Sequence, residues 1–461
     1  MSEEAAVNAP RKSLHGHWSS RMAFVLAVTG SAVGLGNVWK FPYVAGENGG
    51  GAFVLVYLIC VFVVGLPIMM SEILIGRRGR RNPAATMALL GEEEGSTRRW
   101  GLVGVAGVFG GMLILSYYSV IAGWSLSYIG HSITGSFTDQ DAAGISAIFD
   151  GIVGSWWTAA GWHTLFMALT VFVVAKGVEG GLERAVRFMV PGRLVLMFVL
   201  LGYSMTTGYF QQGLAFLFTP DFSALTPNAV LAAMGQAFFS LSVGMGAVMA
   251  YGAYLPEDTS ITKASFAVVS ADTFIALLAG LTIFPIVFAN GLSPGSGPGL
   301  VFQTLPLAFG NMTGGVIFAT VFFLLLSFAA WTSAISLMEA ATAWLVESFR
   351  VSRVAAASVI GGIIWALGLG TVMSFNVLSE VTFLAGTLFD NLDFLTSNIM
   401  LPLGGLLITV FAGWIMCANS TSEELGGAGR LYRAWRFLAR WVAPVAVILV
   451  FLNAIGVLSF T

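Results

Sequence analysis

Val33-Gly34-Leu35-Gly36 interrupts an apolar run at residues 22–46, and Val243-Gly244-Met245-Gly246 interrupts another at 228–255. Paired glycines are poor helix formers inside segments otherwise apolar enough to be membrane helices. Where such a helix opens, backbone carbonyls and amides lose their partners. Hydrocarbon tolerates this only if the freed groups line a polar cavity. Gly-interrupted helices at corresponding places in two halves of a chain point to the substrate site of a secondary transporter. Close helix packing is the ordinary use of membrane glycines, and it suits Gly361, Gly362 and Gly368. The two marked sites differ because polar residues gather there: Ser31 and Asn37 at the first, Gln236, Ser240 and Ser242 at the second.

Composition fits a membrane protein. Apolar residues make up 57% of the chain and charged residues 10%, and mean hydropathy is +0.86, whereas soluble domains carry about 25% charge. Further apolar runs fall at 51–76, 101–134, 160–176, 187–208, 265–290, 315–348, 353–373, 394–417 and 436–459. With the two broken runs this predicts an all-α integral membrane protein of eleven helices. Residues 1–20 carry no apolar core followed by a cleavage site, so no signal peptide is read. Cys60 and Cys417 lie in apolar runs, which indicates neither a disulfide framework nor a metal centre. The four histidines, at 15, 17, 131 and 163, lie near ends and loops. No nucleophile triad or metal cluster accompanies them, so the chain does not read as an enzyme, and no nucleic acid or obligate protein partner is implied.

Eleven spans place the termini on opposite sides. Nearly all basic residues, from Arg11, Lys12 and Arg21 through the arginines of 77–99 to those of 430–440, fall on the amino-terminal side, and Arg193 is counted among them. The positive-inside rule makes that side cytoplasmic. The opposite loops carry Asp139, Asp141, Asp150, Asp221 and Glu380. Lys40 breaks the pattern by lying beyond the Gly34 break. It is read either as snorkelling to the outer interface or as part of a gate with an acidic partner. If the breaks correspond, helix 1 matches helix 6. The repeat unit is then five helices, and an odd count inverts the second unit. The expected organisation is a cytoplasmic segment at 1–20, a first repeat at 21–208, an inverted repeat at 228–417, and helix 11 with the C-terminus at 434–461.

Hard cations take oxygen ligands. The breaks offer carbonyls near Gly30, Ala32, Val33 and Ser240, and Asn37 offers an amide oxygen. Asp272 lies far from any loop in Val268-Val269-Ser270-Ala271-Asp272-Thr273-Phe274, and an intramembrane acid is a functional candidate by default. Trp331-Thr332-Ser333 adds two adjacent hydroxyls on helix 8.

Gly30-Ser31-Ala32-Val33-Gly34-Leu35-Gly36-Asn37-Val38-Trp39-Lys40-Phe41-Pro42-Tyr43 closely resembles the helix-1 signature of the neurotransmitter:sodium symporter family. Similar signatures follow at Glu47–Phe53, Pro67–Gly76, Tyr117-Tyr118 and Gly235–Tyr254. The resemblance is to bacterial eleven-helix amino-acid members with a LeuT-type fold: a 5+5 inverted repeat with broken helices 1 and 6, plus helix 11. It implies a sodium-coupled symporter of small, mainly hydrophobic L-amino acids in the bacterial inner membrane, with the N-terminus cytoplasmic and the C-terminus outside. Two sodium sites are implied. The first uses Ala32, Asn37, Ser240 and Asp272 together with the substrate carboxylate. The second uses Gly30, Val33, Ala329, Thr332 and Ser333. The substrate would meet Ala32, Gly34, Gly36, Ile114, Tyr118, Phe239, Ser240, Ser242, Met245, Ser333 and Leu337.

Asp272 stands where many members have Asn, and Ala276 where chloride-dependent members have Ser. A fixed carboxylate can replace a bound chloride, so chloride is not expected, and Asp272 could protonate on the return step. Gly34 stands where monoamine carriers have Asp, which favours substrates with their own carboxylate. Met245 suits several side-chain shapes. Lys40 and Asp393 correspond to the outer gate, with Phe239 and Tyr118 as lid. Trp18, Tyr254 and Glu347 correspond to the inner gate, where His15 replaces the usual arginine and Arg11 or Lys12 is the available substitute. The Gly181 to Pro191 spacing implies local unwinding of helix 5. Two further readings are carried: a carrier of taurine or a β- or γ-amino acid, and a sensor that binds amino acids without moving them.

Overall fold

The computed structural model describes residues 18–295, 299–454 and 457. Among them nine helices are long and apolar enough to cross a membrane. These are helix 2 (Gly51–Gly79), helix 3 (Arg98–Ile133), helix 4 (Trp156–Ala175), helix 5 (Gly180–Thr206), helix 7 (Ile261–Ala289), helix 8 (Gly315–Phe349), helix 9 (Arg353–Met373), helix 10 (Leu388–Ile415) and helix 11 (Arg430–Leu452). Helix 1 is a bent pair, Arg21–Ala32 and Gly36–Glu47, with a 50° angle at the break. Helix 6 is also in two pieces, Pro227–Ser240 and Ala247–Gly252. Shorter helices, including Pro83–Glu93, Ala142–Val153 and Leu300–Gly310, join the spans.

Local chemistry sets the ends. Ser20 caps helix 1 through the amide of Ala23, and Thr226 caps helix 6 through Ala229 ahead of Pro227. Helix 10 starts at Leu388, before the expected 394, because Thr387 and Asp390 form a reciprocal capping box. Helix 11 likewise starts at Arg430 instead of 436. Its first turns alternate exposed arginines with buried Tyr432 and Trp435, so an apolar-run reading passes over them.

Helices 3 and 8 pack along one another, with helices 4 and 9 against them. The first piece of helix 1 lies among helices 5, 7 and 8, and the inner piece of helix 6 lies on helices 2 and 8. Both breaks therefore face the middle of helices 3 and 8. Gly361 and Gly368 are packing glycines, since a Cβ would strike Val171 and His163, but Gly362 faces open space. The expected unwinding of helix 5 is absent: Val178–Glu183 is wound as a π-turn, and Pro191 lies inside the continuous helix Arg184–Thr206.

Candidate functional site

At the first break the chain leaves the helix at Val33. The freed amides are met by side chains: Gly34 N donates to Asn37 Oδ1 at 3.1 Å and Leu35 N to the Tyr118 hydroxyl at 3.1 Å. The freed carbonyls are met as well. Ser31 O accepts from Ser333 Oγ at 2.8 Å and from Ser242 Oγ at 3.3 Å; Gly36 O, already bonded to the Phe41 amide, also accepts from Gln236 Nε2 at 2.7 Å. The second break turns through three left-handed residues, Ser242 (φ 53°), Gly244 (φ 92°) and Gly246 (φ 74°), which two glycines accommodate without strain. Its amides go to one carboxylate. Fully buried Glu72 on helix 2 accepts from Gly244 N at 2.6 Å and Met249 N at 3.2 Å.

Between the breaks lies a small cavity lined by Ala32, Gly34, Gly36, Ile114, Tyr118, Phe239, Ser242, Met245, Ser333 and Leu337. Every expected substrate neighbour lines it except Ser240, which is fully buried behind the wall at 3.1 Å from the Tyr57 hydroxyl. A Cβ on Gly34 would collide with Ser333 Oγ and the Tyr118 hydroxyl, so the glycine keeps this space open.

Asn37, Ser240 and Asp272 are all fully buried beside the first break. Asn37 Nδ2 donates to Asp272 Oδ1 at 2.8 Å and to the Asp272 carbonyl at 3.2 Å. Asp272 Oδ2 is buried with no hydrogen-bond partner. An orphaned carboxylate oxygen beside an amide oxygen and an opened backbone suits a hard cation.

The other expected cation set is arranged differently. Ala329 accepts from Thr332 Oγ1 at 3.0 Å on helix 8, and Gly30 packs against Val186 and Val190 of helix 5. Arg193, 2% exposed, reaches between helices 1 and 8. Its guanidinium donates to Val33 O at 2.7 Å, Thr332 Oγ1 at 3.2 Å and Thr29 O at 3.2 Å. Sequence reading placed Arg193 with the loop charges and missed it. The signal was available: it follows Met189-Val190-Pro191 and precedes Leu194-Val195-Leu196, inside an apolar run. Glu72 lies inside the apolar run 51–76 and carried no expectation of its own.

The gates need two corrections. Among the described residues no ion pair joins Lys40 to Asp393. The Lys40 ammonium lies 4.2 Å from the centroid of the Phe239 ring, while Asp393 accepts from Ser397 Oγ at 2.8 Å and the Tyr117 hydroxyl at 3.3 Å. On the other side Trp18 is buried, donating from its indole to Tyr251 O at 3.2 Å and from its amide to Tyr254 O at 3.2 Å. Tyr254 donates to Glu339 at 3.0 Å, and Glu339 is paired with Arg353. Glu347 instead accepts from the amide and side chain of Asn82, at 2.9 Å and 2.7 Å. Arg11, Lys12 and His15 lie outside the described residues.

Two interrupted helices enclosing a cavity in a helical membrane bundle define a transporter. The model of the sodium:neurotransmitter symporter family matches residues 15–143 and 145–460. This chain belongs to that family: it is a multi-pass membrane protein and a sodium-coupled transporter, not an enzyme. It is 38% identical to the uncharacterized sodium-dependent transporter YhdH of Bacillus subtilis, over 96% of this chain and 98% of the relative. It is 24% identical to sodium-dependent nutrient amino acid transporter 1 of Drosophila willistoni, over 96% of this chain and 78% of that one. Among solved structures, MhsT in complex with L-phenylalanine superposes with a TM-score of 0.88 at 44% identity, covering 95% of this chain and 99% of the other. The fold is the LeuT type expected from the helix-1 signature.

Proposed function

We propose that this chain imports small, mainly hydrophobic L-amino acids by alternating access, driven by sodium. The carrying observation is the lining of the cavity. Tyr118, Gly34 and Gly36 line it with a hydroxyl and opened backbone, and Ile114, Phe239, Met245 and Leu337 line it with apolar side chains. Sites of this kind orient a ligand with a few polar groups and hold its body with apolar ones. The amino acid's carboxylate would lie at Tyr118 and its side chain among the apolar residues. MhsT, 44% identical to this chain, is in complex with L-phenylalanine, an amino acid with an apolar side chain. The accompanying sodium would bind at Ala32, Asn37, Ser240 and Asp272, where Asp272 Oδ2 has no protein partner. With that fixed carboxylate beside the ion, transport is expected to proceed without chloride. The basic amino-terminal side faces the cytoplasm of a bacterial inner membrane. Lys40, Asp393, Phe239 and Tyr118 guard the outer approach, and Trp18, Tyr254 and Glu347 the inner one.

The alternative of taurine or a β- or γ-amino acid needs extra polar groups among the apolar residues. Ser242 and Ser333 both spend their hydroxyls on Ser31 O, which disfavours it. The test is sodium-dependent binding across the twenty amino acids, GABA and taurine. Strongest binding by apolar amino acids is the expected result, and preference for taurine or GABA would overturn it. Asp272→Ala should abolish sodium-dependent binding. Counterflow of labelled amino acid in proteoliposomes should occur; its absence alongside binding would mark a sensor.

A further inference from the structure

We propose that Arg193 is a built-in cation that occupies the position between helices 1 and 8, so that a single sodium ion, on the Asp272 side, accompanies each substrate. This rests on the sodium-coupled reading above and changes its ion count. The resemblance implies a second sodium held by Gly30, Val33, Ala329, Thr332 and Ser333. In this chain the Val33 carbonyl and the Thr332 hydroxyl are engaged by the Arg193 guanidinium, at 2.7 Å and 3.2 Å. The hydroxyls are oriented to suit it. Thr332 gives its proton to Ala329 O or Phe328 O on its own helix, so an oxygen lone pair faces the guanidinium. The Ser333 hydroxyl is turned to Ser31 O instead.

The surroundings explain how an unusual charge is kept there. The first piece of helix 1 ends at Ala32, and the carbonyls of Thr29 and Val33 lie at its negative end. That is the backbone field a free cation would seek. Among the described residues Arg193 has no carboxylate within ion-pair distance; the buried acid at the same helix 1 break is Asp272, held there by Asn37. A buried charge without a counterion is strongly disfavoured, so the two residues make sense as a set. With sodium bound, Arg193, Asp272 and the ion sum to one net positive charge. Helix 5 also closes over the position: a Cβ on Gly30 would lie 3.3 Å from both Val186 and Val190. A sodium ion sharing these carbonyls would be repelled by the guanidinium.

The consequence is a smaller driving force. Each coupled sodium adds about fiftyfold to substrate accumulation per 100 mV of membrane potential, and this carrier would have one such factor. The test counts ²²Na⁺ bound to the purified full-length protein with saturating L-phenylalanine. One sodium per protein is expected for the native sequence, with a Hill coefficient near one for sodium activation of uptake. Arg193→Ala, by vacating the position, should bind a second sodium and become sigmoidal. Two sodium ions in the native protein would overturn the proposal. So would an alanine variant that binds L-phenylalanine yet stays at one. If that variant does not fold, the sodium-to-substrate flux ratio of the native protein in proteoliposomes decides: unity supports the proposal and two refutes it. No sodium bound at all would instead sink the sodium-coupled reading on which it stands.

Discussion

The two interrupted helices meet the same difficulty with different partners. At the helix 1 break both kinds of backbone group find side chains: Gly34 N and Leu35 N donate to Asn37 and Tyr118, while Ser31 O accepts from Ser333 and Ser242 and Val33 O accepts from Arg193. Helix 6 breaks so that amides are exposed, and the acceptor Glu72 takes Gly244 and Met249 together. Amides attract an anion and carbonyls a cation, as the ends of a helix dipole do. The two helix 6 amides are held together by one carboxylate, whereas the groups of the helix 1 break are held one by one, by side chains from helices 1, 3, 5, 6 and 8.

The sharpest way to break this contrast is Glu72→Ala. It strands two buried amides at about 1–3 kcal/mol each, against a total stability of about 5–15 kcal/mol. Little folded protein should be recovered, and Glu72→Gln, which keeps one acceptor oxygen, should recover part. Full thermal stability in the alanine variant would show that helix 6 needs no anion.

Gly34→Ala acts on the helix 1 break without removing any donor. The methyl group meets Ser333 and Tyr118, and overpacking of this kind costs about 1–3 kcal/mol. L-phenylalanine binding should weaken about ten- to hundredfold while the protein still folds; unaltered affinity would mean that the cavity is not the binding site. Lys40→Ala removes the cation–π contact with Phe239 that joins helix 1 to helix 6 near the two breaks, worth about 0.5–1 kcal/mol. Dissociation of bound amino acid should speed up about two- to fivefold, and a much larger change would reveal a pairing with Asp393 in another state of the carrier. The smallest effect belongs to Ser242→Gly. It relieves a left-handed serine, a gain of about 1–2 kcal/mol, and loses one hydrogen bond to Ser31, about 0.5–1.5 kcal/mol. Thermal stability should change little; a large loss would make the Ser242–Ser31 contact the main tie between the breaks.

Much of this was legible in residue order. Glycine pairs in apolar runs mark the breaks because helix propensity and hydrocarbon solvation act locally, and the helix-1 signature carried the fold. The cavity lining was legible through the resemblance, since Ala32, Gly34 and Gly36 fix where the backbone opens. Arg193 and Glu72 were not. Both lie inside apolar runs, but residue order does not say which backbone groups of a neighbouring broken helix their side chains meet. The Lys40–Asp393 pairing failed differently: correspondence of positions says nothing about the competing aromatic face of Phe239. Helix 11 began early because amphipathic first turns hide from a hydropathy reading.

One arrangement has a mechanical meaning. The hydrogen bonds that fasten helix 1 to helices 3, 5 and 8 are Tyr118 to Leu35, Arg193 to Thr29 and Val33, Ser333 to Ser31 O and the Ser31 hydroxyl to Ser336, and each uses a side chain. Those that tie helix 1 to helices 6 and 7 are likewise side-chain bonds, through Ser242, Gln236 and Asp272. Along helices 3, 5 and 8 the polar part of the seam can thus part by rotamer changes. Sliding one block past the other would leave every backbone ladder intact.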